Sequence, residues 1–171
     1  MTKRTDPIRS RPGPAGYFAE EPAGMLPWSH VVDELRVARN YWIATVGPDG
    51  MPHAMPVWAV WQEDQLLFST SPASAKARNL RANPRTCVHL ESGQRLVVLQ
   101  GETRPVGEPR LQELYRVHYN PKYDWDFTPE QLREGVYAFR PQRAFAWLDD
   151  HGDGFAKAAT RFTSEYEPSP P

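Results

Sequence analysis

The chain has 171 residues, 40% of them hydrophobic and 24% charged, enough for one domain with a real core and too few for two comfortable ones. Its formal net charge of −1 provides no positive field to draw nucleic acid or an anionic membrane, so any anion must be caught locally. One cysteine, Cys87, excludes an internal disulfide and a thiolate metal cluster, and no window has the apolar length of a membrane span or signal core; the expectation is a soluble cytoplasmic protein without membrane or nucleic-acid partners.

Residues 1–24 are rich in Pro, Gly and charge and lack an apolar period, which reads as a flexible tail. Residues 25–165 form the expected domain, and 166–171 a second short tail. "MLPWSHVVDELRVARN" predicts a helix from about His30 to Arg39, capped by Ser29, with Asp33 and Glu34 in its first turn. In "YWIATVGPDGMPHAMPVWAVW" two aromatic and β-branched runs flank a Gly-Pro-Asp-Gly turn, the pattern of a hairpin. "EDQ" makes the next turn and "LLFST" the third strand. "SPASAKARNL" then opens a short helix. "RTCVHLE" and "QRLVVLQGETRPV" read as a further strand pair, and "EPRLQELYRVHYN" as a helix with Leu111, Leu114, Tyr115 and His118 on one side. "VYAFRP" and "RAFAWL" read as two more strands, "DDHGDG" as a turn, and "AATRFTSEY" as a last extended piece. Six or seven strands with two or three short helices predict a mainly β fold, an antiparallel barrel that closes on itself and so removes its exposed edges.

Two stretches carry the chemistry. At the mouth of the second helix, Ser71, Ser74 and the free backbone N–H groups form the positive end of a helix dipole, and Lys76 adds a full charge in the first turn. Lys76 and Asn79 project to one side and Arg78 and Arg81 to another. From spacing alone this is either a phosphate site or a capped helix with a solvated basic face. The strand "HAMPVWAVW" is apolar on both faces, with Ala54, Pro56, Trp58 and Val60 on one and His53, Met55, Val57, Ala59 and Trp61 on the other. Pro56 cannot donate to a ladder, which marks an edge or a bulge. Such a strand suits either a flat heterocycle or a Trp-rich core.

Taken in series, "ATVGPDGMPHAMPVWAVW", "LLFSTSPASAKARNLRANPR" and "CVHLESG…LVVLQGETRPV" resemble the flavin- and deazaflavin-dependent split-barrel oxidoreductases, the superfamily that includes pyridoxamine 5′-phosphate oxidase. The resemblance covers roughly residues 41–106. It implies a split antiparallel β-barrel of about six strands that forms a homodimer, with cofactor sites at the subunit interface. Carried over residue by residue, it assigns Ser69, Thr70, Ser74, Lys76 and Asn79 to the cofactor's phosphate and ribityl part, with Arg78 as a further anion contact and Met55, Pro56, Val57 and Trp58 along its ring. Pyridoxamine phosphate oxidases proper carry two cations on this strand, at positions that align with Met55 and Val60, and a C-terminal Arg-Leu-His-Asp-Arg signature that "RPQRAFAWLDDHGDG" does not show. The chain is more similar to the branch that uses the deazaflavin coenzyme F-420, with FMN as the other cofactor expected.

The chemistry so implied is a two-electron hydride transfer to a small organic substrate, with the cofactor carrying the hard step. The alternative is a non-catalytic carrier or sensor that binds a flavin, haem or another tetrapyrrole in the same cleft. No nucleophilic triad is visible, and His30, His53, His89, His118 and His151 have no metal-ligand spacing. Of these, His53 lies best for a direct role. No catalytic side chain is assigned; Tyr115, Tyr119, Tyr123 and Trp125 either line the substrate face or pack a helix on the barrel.

Overall fold

In the computed structural model of the chain, residues 6–13, 18, 24–149 and 157–164 are described. Among them the elements are β1 (Ile8–Ser10), α1 (Trp28–Val37), β2 (Tyr41–Val46), β3 (Pro52–Val57), β4 (Ala59–Gln62), β5 (Gln65–Ser69), α2 (Ala75–Ala82), β6 (Arg85–His89), β7 (Arg95–Pro105), α3 (Pro109–Tyr123), a 3-10 turn at Glu130–Leu132, β8 (Val136–Leu148) and β9 (Thr160–Thr163). No helix among them is long and apolar enough to cross a membrane.

The strands form one antiparallel sheet in the order β1-β9-β8-β7-β6-β2-β3, with β5 on β8 and β4 on β5. Pairing of β2 with β3 runs from Tyr41↔Val57 to Val46↔Pro52, and β4 pairs instead with β5, Ala59↔Phe68 to Gln62↔Gln65. A single residue, Trp58, thus carries the chain from one margin of the sheet to the other, which brings the margins together as a split barrel. The turn between β4 and β5 has Glu63 and Asp64 at φ 51° and 56°, the double left-handed geometry that matches the twist of a two-residue hairpin.

The barrel interior is filled by Tyr41, Ile43, Leu66, Phe68, Val88, Val97, Leu99, Ala144 and Ala146, and closed by Val31 and Leu35 of α1 and by Ala77 and Leu80 of α2. On the far side of β4 and β5, Val60 and Leu67 meet Tyr115, Tyr119 and Tyr123 of α3. These two strands are therefore buried on both faces, the physical reason that "AVW" and "LLF" read as unbroken apolar runs.

Several expectations change. The first helix starts at Trp28 with Pro27 as N-cap and no side-chain cap, because Ser29 lies inside the first turn; Glu34 pairs instead with Arg95 of β7. "HAMPVWAVW" is two strands rather than one, and β3 lies at the sheet margin, where Pro56 costs no ladder bond. "VYAFRP" and "RAFAWL" are one strand, β8: its pairing with β7 shifts register between Gln100 and Gly101, and this bulge absorbs Pro141. The close approach explains Gly101, where a Cβ would lie 2.0 Å from the Arg140 carbonyl oxygen. Within the stretch read as a flexible tail, Ile8–Ser10 pairs with β9, and the Arg11 guanidinium donates to the carbonyls of Lys157 (2.5 Å) and Ala159 (3.0 Å).

Candidate functional site

The bend at Trp58 is held by a knot of polar side chains. Tyr123, in the last turn of α3, accepts from the Ala59 N–H at 2.9 Å and donates its one proton to the carbonyl of Arg39 (2.7 Å) or Ala59 (2.8 Å). Lys122 places its Nζ against the Tyr41 hydroxyl (2.9 Å), the Ala59 carbonyl (3.2 Å) and the Arg36 carbonyl (3.5 Å). Tyr41 in turn donates to the Leu35 carbonyl at 2.5 Å. The end of α1, the start of β2, the β3–β4 bend and α3 are thereby tied together, and every hydrogen of the lysine finds an acceptor, as a half-buried ammonium requires. Burial, with a smaller contribution from the nearby Arg39 cation, lowers the Lys122 pKa to about 8, and burial raises Tyr123 to about 12.

Beside this bend lies a cleft of about 380 Å³ lined by Asn40, Pro56, Val57, Trp58, Ser69, Thr70, Lys76 and Tyr119. Its two walls differ chemically. One is the apolar run Pro56-Val57-Trp58 at the end of β3. The other is the Ser69-Thr70 end of β5 and the mouth of α2, whose cap is Ser74: its Oγ accepts from the Ala77 N–H (3.1 Å) and from the Thr70 hydroxyl (3.1 Å). Ser69 and Tyr115 share a hydroxyl–hydroxyl bond at 3.0 Å. Lys76 is only 8% exposed, has no hydrogen-bond or ion-pair partner among the described residues, and is shifted to a lower pKa by burial. Among the described residues no acidic side chain lines the cleft.

Of the ten residues assigned from the sequence, Pro56, Val57, Trp58, Ser69, Thr70 and Lys76 come together in this cleft, and Ser74 stands just behind as helix cap and partner of Thr70. Three stand elsewhere. Asn79 is buried and donates to Thr45 Oγ1 at 3.0 Å, fixing α2 to β2. Arg78 is exposed and folds back onto the Ala73 carbonyl at 2.6 Å. Met55 is 46% exposed, opposite Ile43 on β3. His53 is on the same side of β3 as Met55 and does not line the cleft; His151 lies outside the described residues. Asn40, Arg39 and Lys122 were not singled out in the sequence: they sit in or beside links, where no periodicity marks them, and the only signal was their closeness in sequence to the aromatic residues they touch.

The family model for pyridoxamine 5′-phosphate oxidase matches residues 29–148, which spans the barrel and both walls of the cleft. The chain belongs to the pyridoxamine 5′-phosphate oxidase family. A curated relative from Rhodopseudomonas palustris, a pyridoxine/pyridoxamine 5′-phosphate oxidase, is 27% identical over 75% of this chain. That alignment covers 58% of the relative's length, so the chain spans little more than half of it. Among solved structures, an F-420 reductase is similar with a TM-score of 0.54 and 25% identity over 66% of this chain and 93% of that one. HutZ, the heme storage protein from Vibrio cholerae, shares the fold with a TM-score of 0.57 and 18% identity over 67% and 91%.

Proposed function

We propose that the cleft binds a phosphate-bearing flavin-type cofactor, coenzyme F-420 in preference to FMN, and that the protein is an oxidoreductase acting on a small organic substrate. The observation that carries this reading is Lys76, a lysine 8% exposed with no counter-charge among the described residues. Partial burial disfavours its charged form although the ammonium nitrogen itself is not sealed from solvent, and an anion supplied by a ligand in the cleft offsets that penalty. Ser69 and the first N–H groups of α2 add donors for the same phosphate, and Pro56 and Val57 offer an apolar wall to a ring system. The bound cofactor would supply the hydride chemistry; the chain's own residues bind it, orient it and shield one side from water.

Vitamin B6 oxidation fits less well. The two strand cations of the oxidases proper align with Met55 and Val60, and Val60 is 2% exposed in an apolar cluster with Leu67, Val106 and Tyr115, where a cation would have no partner. A homodimer belongs to the proposal. The outer side of the sheet carries the register neighbours Pro56, Trp42, His89, Val98 and Phe145 across five strands, a largely apolar row that a second copy would cover. The test is a titration of the ligand-free protein with F-420, FMN and haem in parallel, followed by fluorescence quenching and Soret absorbance. Micromolar or tighter binding of F-420 or FMN is expected. Haem binding with neither flavin would place the protein among non-catalytic tetrapyrrole carriers instead.

A further inference from the structure

Trp58 is the residue whose surroundings the cofactor phosphate does not explain. One face of its indole is stacked on Tyr123, centroids 4.9 Å apart and planes 5° from parallel. Trp125 meets it edge-on at 6.3 Å and 76°. The Arg39 guanidinium carbon is 5.6 Å from the Trp58 ring and 5.4 Å from the Tyr123 ring. A cation capping the outer face of Trp58 would be much farther from Tyr123 than from Trp58. Near-equal distances from two stacked rings put Arg39 beside the pair, at its edge. Neither Arg39 nor any other described ring covers the second face of the indole, and the residue is 39% exposed on the cleft wall.

This is a rigid aromatic platform. Its inner face is locked by Tyr123, which the hydroxyl knot fixes to Ala59 and Arg39, and little side-chain entropy remains to be lost when a ring stacks on it. The charge beside it has one sign. Among the described residues Arg39 makes no hydrogen bond or ion pair through its guanidinium, its charge acts on the nearby cation of Lys122, and no acid lines the cleft. A guanidinium at the edge of a stacking surface reads an anionic substituent projecting from the stacked ring.

We infer that Trp58 and Arg39 form the substrate subsite, and that the substrate is a planar, conjugated molecule bearing a carboxylate or phosphate, its ring on Trp58 and its anion toward Arg39. This rests on the proposed cofactor reading for its placement next to a hydride donor, and separates from it experimentally.

The probes are 2-naphthoate, its neutral counterpart 2-naphthalenemethanol, and cyclohexanecarboxylate, an anion without a π-system. Affinities are measured by calorimetry on the full chain, alone and with saturating FMN. The expected result is that naphthoate binds about tenfold or more tightly than either of the others, the scale of one charge-assisted hydrogen bond. Arg39→Met should abolish the preference for naphthoate over the alcohol without weakening the alcohol, Trp58→Leu should weaken both aromatic probes, and Arg81→Met, which removes an exposed cation on α2, should change nothing. Equal affinity for naphthoate and its alcohol would overturn the inference, as would equal losses in Arg39→Met and Arg81→Met. Loss of FMN binding in Arg39→Met with naphthoate unaffected would also overturn it, by giving the platform to the cofactor. If neither F-420 nor FMN binds while the naphthoate preference persists and depends on Arg39, the cofactor reading fails and the planar-anion subsite stands.

Discussion

Replacing Tyr123 by Phe tests the knot that shapes the cleft. The ring, and with it the stack under Trp58, is preserved; only the hydroxyl is lost. Ala59 is fully buried and its N–H has the Tyr123 oxygen, 2.9 Å away, as its recorded partner, so the substitution orphans a buried backbone donor. The Ala59 carbonyl keeps Lys122 at 3.2 Å, and the Arg39 carbonyl loses a donor at 2.7 Å. One unsatisfied buried group costs about 1–3 kcal/mol, and the lost hydrogen bond adds about 1 kcal/mol, so the expected destabilisation is about 2–4 kcal/mol. Urea unfolding with an unchanged slope would read it directly. A loss below about 0.5 kcal/mol would show that the hydroxyl does not hold the bend, since surface substitutions give as much.

Lys122 supplies a pH signature. Its pKa falls from 10.5 in the unfolded chain to about 8 when folded, so the unfolded state binds the proton more tightly and this group's penalty, full below pH 8, is relieved as pH rises from about 8 to 10.5. The stability of the parent relative to Lys122→Met should therefore climb across that window in denaturant titrations; a flat difference would mean the ammonium is not desolvated. The subtraction matters because Cys87 and Tyr123, whose pKa values burial raises, oppose the trend at high pH in both proteins. Gly101→Ala should cost at least about 2 kcal/mol, because the new methyl meets backbone of β8 rather than a movable side chain; a thermal melt within a degree of the parent would refute the tight crossing. Removing residues 1–13 should lower stability by about 1–3 kcal/mol through loss of the β1–β9 ladder and the Arg11 bonds, and an unchanged melt would show that the strand adds nothing to the fold.

The barrel was legible because its signals are local. Gly47-Pro48-Asp49-Gly50 fixes one hairpin, and alternation in β2 and β7 reports a sheet with one face buried. The polar wall of the cleft was legible for the same reason: Ser69, Thr70, Ser74 and Lys76 fall within eight residues. What failed depends on partners distant in sequence. β1 has three residues with no apolar pattern and exists through pairing with β9, about 150 residues on. Pro141 looked like a strand end because nothing local shows that Gln142 is the extra, bulged residue of β8; pairing with β7 sets that register. Asn79 shares its helical side with Lys76, yet Thr45 of β2 claims it, a choice made by packing and not by spacing. The Arg39–Trp58–Tyr123 stack needs three separate elements to converge, and nothing in any one of them announces the other two.

The central claim, that Lys76 awaits a cofactor phosphate, is tested most directly by comparing F-420 and FMN affinities of Lys76→Met and Arg81→Met with the parent by fluorescence titration. Both substitutions remove one cation from α2, so a general loss of positive field affects them alike. Lys76→Met is expected to weaken binding by about 1.5–3 kcal/mol, the range for a hydrogen bond to a charged group, and Arg81→Met, whose guanidinium is exposed on the Pro72 carbonyl, to leave it nearly unchanged. Rising salt should weaken the parent more than the Lys76 variant. Equal and small effects of the two substitutions on both cofactors would contradict the account and return Lys76 to the role of a lysine buried by its helix alone.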